Sequence, residues 1–183
     1  MRTVLMTLVV LLVSAASSPA QEPERKAPPV TSVRFGCHSN ATDADLAALK
    51  QYPELREIDI LSDKITDAGL EPLKAFPKLE VLRLNSSTIT DKGLEHVAAI
   101  PKLRELVLFR TDATADGLAR LKKIPDLRKL CLWRLTITSE GVAQLKELTQ
   151  LESLDFGQLK PESREKAAEL VALLPKTRIS FSQ

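Results

Sequence analysis

The chain has 183 residues and a formal net charge of +2 at pH 7. This length is enough for one domain of ordinary size and too short for two large ones. The near-neutral charge gives no overall attraction to nucleic acid or to an anionic membrane, so neither is expected as a partner.

Residues 1–20, MRTVLMTLVVLLVSAASSPA, have the pattern of a secretory signal peptide. Arg2 gives a short cationic start, residues 4–13 are apolar, and small residues at Ser18 and Ala20 fit a cleavage site. The alternative is an uncleaved membrane anchor. A membrane-spanning helix needs about 20 apolar residues, twice the length of this run, so cleavage is favoured.

Cleavage after Ala20 removes one positive charge and leaves a mature chain of net charge +1. Residues 21–29, QEPERKAPP, are charged and proline-rich and are expected to form an extended tether. No later segment is long and apolar enough to insert into a membrane, so an exported protein is expected, periplasmic or secreted.

One pattern then recurs at a fixed spacing of 24 residues, and such a period determines the architecture. The four regular copies are LREIDILSDKITDAGLEPLKAFPK from Leu55, LEVLRLNSSTITDKGLEHVAAIPK from Leu79, LRELVLFRTDATADGLARLKKIPD from Leu103 and LRKLCLWRLTITSEGVAQLKELTQ from Leu127. Looser copies start at Val30 and Leu151, and a closing strand is expected near residues 178–181.

Within each copy, the spacing of the apolar residues changes once, from two residues to three. In LEVLRLN, the alternation of Leu82 and Leu84 predicts a strand. In the following ITDKGLEHVAAIP, Leu94, Val97 and Ile100 are spaced by three, as on one face of a helix. A strand is therefore followed by a helix in every repeat.

The repeats also share the residues at which each helix is expected to begin and end. Thr90 occupies an N-cap position, and Asp91 adds negative charge at the helix start. Gly93 recurs in the regular copies and indicates close packing between neighbouring turns. Pro101 prevents continuation of the helix and begins the return to the next strand.

One unit cannot bury its own apolar face, but stacked units form a continuous core. We therefore expect residues 30–183 to form a right-handed α/β solenoid, with a parallel sheet on the concave side and helices on the convex side.

The consensus LxxLxLxxxxITDxGLxxLxxxPxL resembles leucine-rich repeats, in particular the variety with a helical convex side found in F-box-associated repeat proteins. It is also similar to exported repeat proteins of bacteria such as planctomycetes. The F-box-associated variety has a cysteine before each strand, whereas the corresponding residues here are Pro53, Pro77, Pro101, Pro125 and Thr149. The resemblance implies a protein-binding scaffold, and the signal-like segment before the repeats argues against a ubiquitin-ligase role.

Residues 85–103 contain serines, Asp91 and His96, a set that could indicate hydrolysis. Repetition argues against it, because Asp91 shares its column with Asp43 and Asp67, and His96 is expected on the outward part of its helix. No nucleophile, base and stabiliser converge in the repeat register, so no enzyme activity is expected. The isolated histidines and cysteines predict neither a metal site nor a cofactor.

Cys37 and Cys131 lie four strands apart in the repeat register. At about 4.8 Å per strand this separation is roughly 19 Å, beyond the ~7 Å that a disulfide allows, so both are predicted to be free thiols. Asn40 and Asn85 begin glycosylation triplets, which are expected to be unused in a bacterial host.

Binding residues are sought among the strand positions that vary between copies and face away from the core. The fifth position of each unit holds Arg34, Asp59, Arg83, Val107, Cys131 and Asp155, and the seventh holds Gly36, Leu61, Asn85, Phe109, Trp133 and Gly157. Phe109 and Trp133 are thus predicted neighbours, with an arginine after each strand, as in an interface anchor with a charged rim.

We expect non-catalytic recognition of a partner protein on the concave face. The candidate contact residues are Phe109, Trp133, Arg83, Asn85, Val107, Arg110, Arg134 and Asp59. Two alternatives stay open: the aromatic ridge packs against another part of the chain, or the protein has a structural role through self-association. Residues 103–150 carry a small excess of basic side chains, which favours acidic glycans or polyanions, although most of these side chains lie on predicted helices and turns.

Overall fold

A computed structural model of the chain describes residues 29–36, 40–86, 88–136, 138–158 and 161–182, with side chains given for all of these except residues 161 and 162. The predicted signal peptide, the tether up to residue 28 and Cys37 lie outside the described residues.

Within the described residues, seven parallel strands form one sheet in the order in which they occur along the chain. They are β1 (Ser32–Phe35), β2 (Glu57–Leu61), β3 (Val81–Asn85), β4 (Glu105–Phe109), β5 (Lys129–Trp133), β6 (Ser153–Gly157) and β7 (Arg178–Ser182). Each of the first six begins two residues after the start of a sequence repeat. The predicted α/β solenoid with an open parallel sheet is confirmed.

Short helices connect the strands and are less extensive than the apolar period suggests. They are α1 (Asp43–Ala48), α2 (Asp67–Leu70), α3 (Asp91–Val97), α4 (Ala115–Arg120), α5 (Ser139–Leu145), α6 (Pro161–Ala168) and α7 (Leu170–Leu173). Three of them continue as 3₁₀ turns, at Leu49–Gln51, Glu71–Ala75 and Leu121–Lys123. The α3 helix ends at Val97, before Ile100 and Pro101, and a turn completes the repeat.

The core consists of columns of identical or similar side chains that continue from strand to strand. Leu82 of β3 is in register with Leu106 of β4, which is in register with Leu130 of β5, and all three are 0% exposed. Full burial of one leucine side chain contributes roughly 1.5–3 kcal/mol. Because each column spans several repeats, no repeat buries its apolar face alone.

An aspartate in the first turn of one helix binds the threonine N-cap of the next helix. The Thr90 backbone N–H donates to Asp67 Oδ1 at 2.8 Å, and the Thr90 hydroxyl donates to Asp67 Oδ2 at 2.6 Å. The same pair of hydrogen bonds joins Asp43 to Thr66 and Asp91 to Thr114. This Asp–Thr clamp connects repeats, a role beyond the helix-start charge predicted for Asp91.

The recurring glycine makes room for the clamp. A Cβ atom on Gly69 would lie 2.1 Å from Asp43 Oδ1, and one on Gly93 would lie 2.4 Å from Asp67 Oδ1. Both distances are far below van der Waals contact, so the carboxylate could not keep its place beside any larger residue. The predicted close packing at Gly93 is confirmed, and its partner is the aspartate of the preceding repeat.

Two of the described threonine N-caps, Thr42 and Thr138, have no clamp and make only local hydrogen bonds. In α1 the glycine column holds Asp45, whose carboxylate accepts from the Thr42 backbone N–H at 2.8 Å. Between α4 and α5 the aspartate column holds Ala115, and the Thr138 hydroxyl instead accepts from the Gly141 backbone N–H at 3.2 Å. The Glu140 backbone N–H and the Thr138 hydroxyl both lower the pKa of Glu140.

Restoring the missing carboxylate should stabilise the protein. Ala115→Asp is expected to raise the free energy of unfolding by about 0.5–1 kcal/mol, because a hydrogen bond contributes on that order in net terms. Urea denaturation measures the change. The matched control is Ala68→Asp, which adds a first-turn carboxylate beside an aspartate that already forms a clamp. An equal gain in both variants would contradict the clamp and indicate a helix-dipole effect.

Candidate binding surface

The register of the strands places the predicted surface residues of successive repeats next to one another, as their shared repeat position suggests. Asn85 pairs with Phe109, Phe109 with Trp133, and Trp133 with Gly157. Alternate side chains of a strand point to opposite faces, and the intervening leucines are buried. The seventh-position side chains therefore lie on the concave face, away from the helices.

Phe109 and Trp133 form a stacked aromatic pair. Their ring centroids are 6.3 Å apart with an interplanar angle of 29°, and both residues are half-buried. The Trp133 ring also covers Gly157, where a Cβ atom would lie only 2.2 Å from the indole. The Arg134 guanidinium lies 5.9 Å from the centre of the Phe109 ring, within cation–π range. The aromatic pair is thus contacted by Gly157 on one side and by Arg134 on the other, and part of its surface is accessible to solvent.

Arg110 and Arg134 adopt a backbone conformation that non-glycine residues seldom take. Their φ angles are 54° and 55°, in the left-handed region. The Arg110 N–H donates to the Trp133 carbonyl, and the Arg134 N–H to the Gly157 carbonyl, each at 3.0 Å. Both arginines are exposed at the ends of the strands. Sequence reasoning missed this conformation, because arginine gives no signal for it.

The charged candidates at the fifth position of the repeat form ion pairs. Arg83 lies between Glu57 and Glu105, with its Nη2 2.8 Å from Glu105 Oε1. Asp59 is 8% exposed, and its Oδ2 lies 2.8 Å from Arg34 Nε. These side chains are less available to a partner than the sequence columns suggest, because their charges are largely satisfied within the sheet.

Val107 and Cys131 lie beside the aromatic pair and are half-buried. Cys131 is a free thiol, as predicted, whereas Cys37 lies outside the described residues. The Cys131 Sγ donates to Asp155 Oδ2 at 3.7 Å. Burial and the negative charge of Asp155 raise the pKa of the Cys131 thiol to about 11, so the thiol is neutral at physiological pH.

This shift predicts slow alkylation of Cys131. In a Cys37→Ser variant, the rate of reaction with iodoacetamide should keep rising until the pH reaches about 11, because only the thiolate reacts. The same variant unfolded in urea should level off near the ordinary pKa of 9.0. Coincident profiles for the folded and unfolded protein would contradict the buried environment of this thiol.

A polar cleft of about 380 Å³ opens next to the aromatic pair, at the carboxyl ends of the strands. Its lining residues are Asn40, Leu61, Ser62, Asp63, Lys64, Asn85 and Arg110. The Lys64 ammonium donates to Asn40 Oδ1 at 3.0 Å. Asn85, a predicted surface residue, thus lies between Phe109 and a cluster of cationic and amide groups.

The residues that could suggest hydrolysis are used in other ways. The Asp91 carboxylate accepts two hydrogen bonds from Thr114, and His96 is half-buried in the last turn of α3. Within the described ranges, no group of three or more histidine, cysteine or acidic side chains could hold a metal ion. No described helix has the length and apolar character needed to cross a membrane.

No protein-family model and no curated protein sequence matches this chain. Among solved structures it is similar to an internalin from Listeria monocytogenes, with a TM-score of 0.50 and 18% sequence identity. The match covers 82% of this chain and 48% of the internalin chain, so this chain spans about half the length of that protein. With the parallel sheet and its short helices, this similarity shows that the chain has the leucine-rich-repeat solenoid fold.

Proposed function

We propose that this protein is a non-catalytic scaffold that recognises a partner protein through its concave face. The observation that carries the proposal is the stacked pair Phe109 and Trp133 at strand positions that face away from the core. The solenoid requires apolar side chains only at inward positions, where Leu108 and Leu132 are 1% or less exposed and already fill the core. Aromatic side chains on the opposite face are typical of interface centres.

The rigidity of the pair supports this function. Trp133 is fixed between Phe109 and the Gly157 backbone, and Arg134 covers part of the Phe109 ring. Side chains that already hold their bound positions lose little entropy on association, which favours affinity. This packing is intramolecular, yet it leaves both rings half-buried and not fully enclosed.

A comparative capture experiment tests the proposal. The mature protein and its Trp133→Ala variant are used to capture partners from the envelope fraction of the source cells, and the affinity of each captured protein is then measured. Loss of a central aromatic anchor should weaken binding by 2 kcal/mol or more, about thirtyfold. The matched control is Leu173→Ala, which removes an apolar side chain that is 51% exposed on α7. Equal affinity of the Trp133→Ala variant would contradict the proposal.

Export is a separate part of the proposal and rests on the pattern of residues 1–20. When the full chain is expressed in a bacterium with a periplasm, the periplasmic fraction should contain a protein whose N-terminal residue is Gln21. Intact-mass analysis measures this. A full-length product that begins at Met1 and stays in the cytosol or membrane would contradict export.

Self-association is the second candidate, favoured by an exposed apolar patch on α7. Val171 is 55% exposed and Leu173 51% exposed, on the helix that precedes β7 in the chain. Light scattering over a dilution series tests this function. An oligomer that resists dilution, and that Leu173→Ser dissociates, would support assembly over recognition of a different protein.

A further inference from the structure

Two groups of charged residues on the concave face differ in their pairing. The strand-start group, whose members form ion pairs with one another within the sheet, consists of Arg34, Glu57, Asp59, Arg83 and Glu105. The strand-end group consists of Lys64, Arg110 and Arg134, and the ion pairs found among the described residues include none of the three. Three cationic side chains without an ion-pair partner among the described residues therefore lie near the aromatic pair.

The cleft next to Phe109 has the chemistry of a carboxylate site. Lys64 and Arg110 contribute two cationic groups, and Asn40 and Asn85 contribute amides, against a single lining carboxylate, that of Asp63. Lysine and arginine donate charge-assisted hydrogen bonds to carboxylates, which are about twice as strong as neutral ones. With two cationic groups against one carboxylate, the cleft could be balanced by one further acidic side chain.

The left-handed backbone of Arg110 and Arg134 belongs to the strand ends, because Gln158 in the next repeat also has it, with a φ of 50°. A non-glycine residue in the left-handed region costs roughly 1 kcal/mol or more, and glycine or asparagine is better suited to that region. Two of these three successive repeats place an arginine there, with φ angles of 54° and 55°. Neither guanidinium forms an ion pair with a described residue, and that of Arg134 contacts only the Phe109 ring among the contacts described above.

Arg134 also borders a second cleft, of about 550 Å³, at the α4–α5 junction where the clamp is missing. The acidic lining residues Asp112, Asp116 and Glu140 give that cleft the opposite charge, and Arg134 forms no ion pair with them. A bound acidic segment would therefore be directed away from this cleft and toward Lys64 and Arg110.

We propose, resting on the function proposed above, that the partner segment bound by the concave face is acidic. An apolar side chain of that segment packs against Phe109 and Trp133, and flanking carboxylates accept hydrogen bonds from Arg134 and from the cleft of Lys64 and Arg110. Both contacts lie along the same strand ends, so an extended segment reaches them together.

Fluorescence of the single tryptophan, Trp133, tests this inference on the mature chain. Two synthetic peptides are titrated, one with a phenylalanine flanked on each side by three glutamates and one with glutamines in their place. The glutamate peptide should bind at least tenfold more tightly. Its affinity should fall as the salt concentration rises from about 50 mM to about 500 mM, because screening weakens exposed charge pairs.

Substitutions then locate the charges responsible. Arg110→Asn and Arg134→Asn keep a residue suited to the left-handed backbone, so the melting temperature should be unchanged or higher. Each variant should bind the glutamate peptide about tenfold more weakly, as expected for loss of a charge-assisted hydrogen bond. Arg178→Asn is the matched control, since Arg178 is exposed on β7 of the same sheet, and its affinity should be unchanged.

Several outcomes would overturn the acidic segment. They are equal affinity for the two peptides, no binding of the glutamate peptide up to about 1 mM, an equal loss in Arg178→Asn, and tighter binding of a heparin oligosaccharide than of the peptide. A different result is a captured protein that loses affinity when Trp133 is replaced but not when Arg110 or Arg134 is replaced. That result would support the concave recognition surface and contradict its specificity for an acidic segment.

Discussion

Replacing Leu106 by alanine should lower the free energy of unfolding by about 3–5 kcal/mol. Leu106 is 0% exposed and lies in the middle of the sheet, between Leu82 of β3 and Leu130 of β5. Truncation removes buried apolar surface and leaves a cavity that two neighbouring strands cannot fill without breaking their hydrogen bonds. Urea denaturation followed by circular dichroism measures the loss.

The adjacent residue provides the control. Val107 is half-buried on the concave face, so Val107→Ala should cost less than about 1 kcal/mol. The two substitutions differ by one position along β4 and therefore test the inward and outward alternation of the strand directly. Equal losses would contradict the register on which the candidate surface depends.

Gly69→Ala should also destabilise the protein, by about 2 kcal/mol, although alanine normally favours a helix by nearly 1 kcal/mol over glycine. The new Cβ would lie 2.1 Å from Asp43 Oδ1 and would displace the carboxylate from the Thr66 N–H and hydroxyl. Thermal and urea denaturation measure the change. Gly36→Ala is the control, because a Cβ at Gly36 meets nothing within 4 Å.

A double-mutant cycle separates the clamp from other effects of the added methyl group. Asp43→Ala alone removes two hydrogen bonds and should cost about 1–2 kcal/mol. When Asp43 is already alanine, the further change Gly69→Ala should cost much less, because the carboxylate is no longer there to be displaced. Strict additivity of the two losses would show that the glycine serves another purpose.

The period of 24 residues was sufficient to predict the sheet and the buried columns, because a strict repeat places equivalent residues in equivalent environments. Phe109 beside Trp133 follows from that register alone. The Thr90 N-cap is predictable for the same reason, and its hydroxyl accepts from the Lys92 backbone N–H at 3.3 Å.

Contacts between repeats were not predictable in the same way. The clamp of Asp67 to Thr90 joins residues 23 positions apart, and only the geometry of neighbouring helix starts makes them partners. The sequence showed aspartate and glycine columns without showing that one makes room for the other. Asp45 in the glycine column and Ala115 in the aspartate column become intelligible once that contact is known.

The charges of the candidate surface were the least predictable feature. Arg83 looked available when its column was considered alone, but Glu57 and Glu105, from the third position of their repeats, pair with it. Arg110 and Arg134 have a left-handed backbone that arginine does not favour. Side-chain pairing across strands and backbone strain both depend on the folded geometry, so neither is encoded in a single repeat.

Fluorine NMR of the single tryptophan tests the recognition surface most directly. When the protein is labelled with 5-fluorotryptophan, one fluorine resonance reports on Trp133. Addition of a captured, unlabelled partner should shift or broaden that resonance in proportion to the fraction bound, because the indole becomes buried at the interface. A partner that binds fully and leaves the resonance unchanged would contradict the concave aromatic pair as the binding surface.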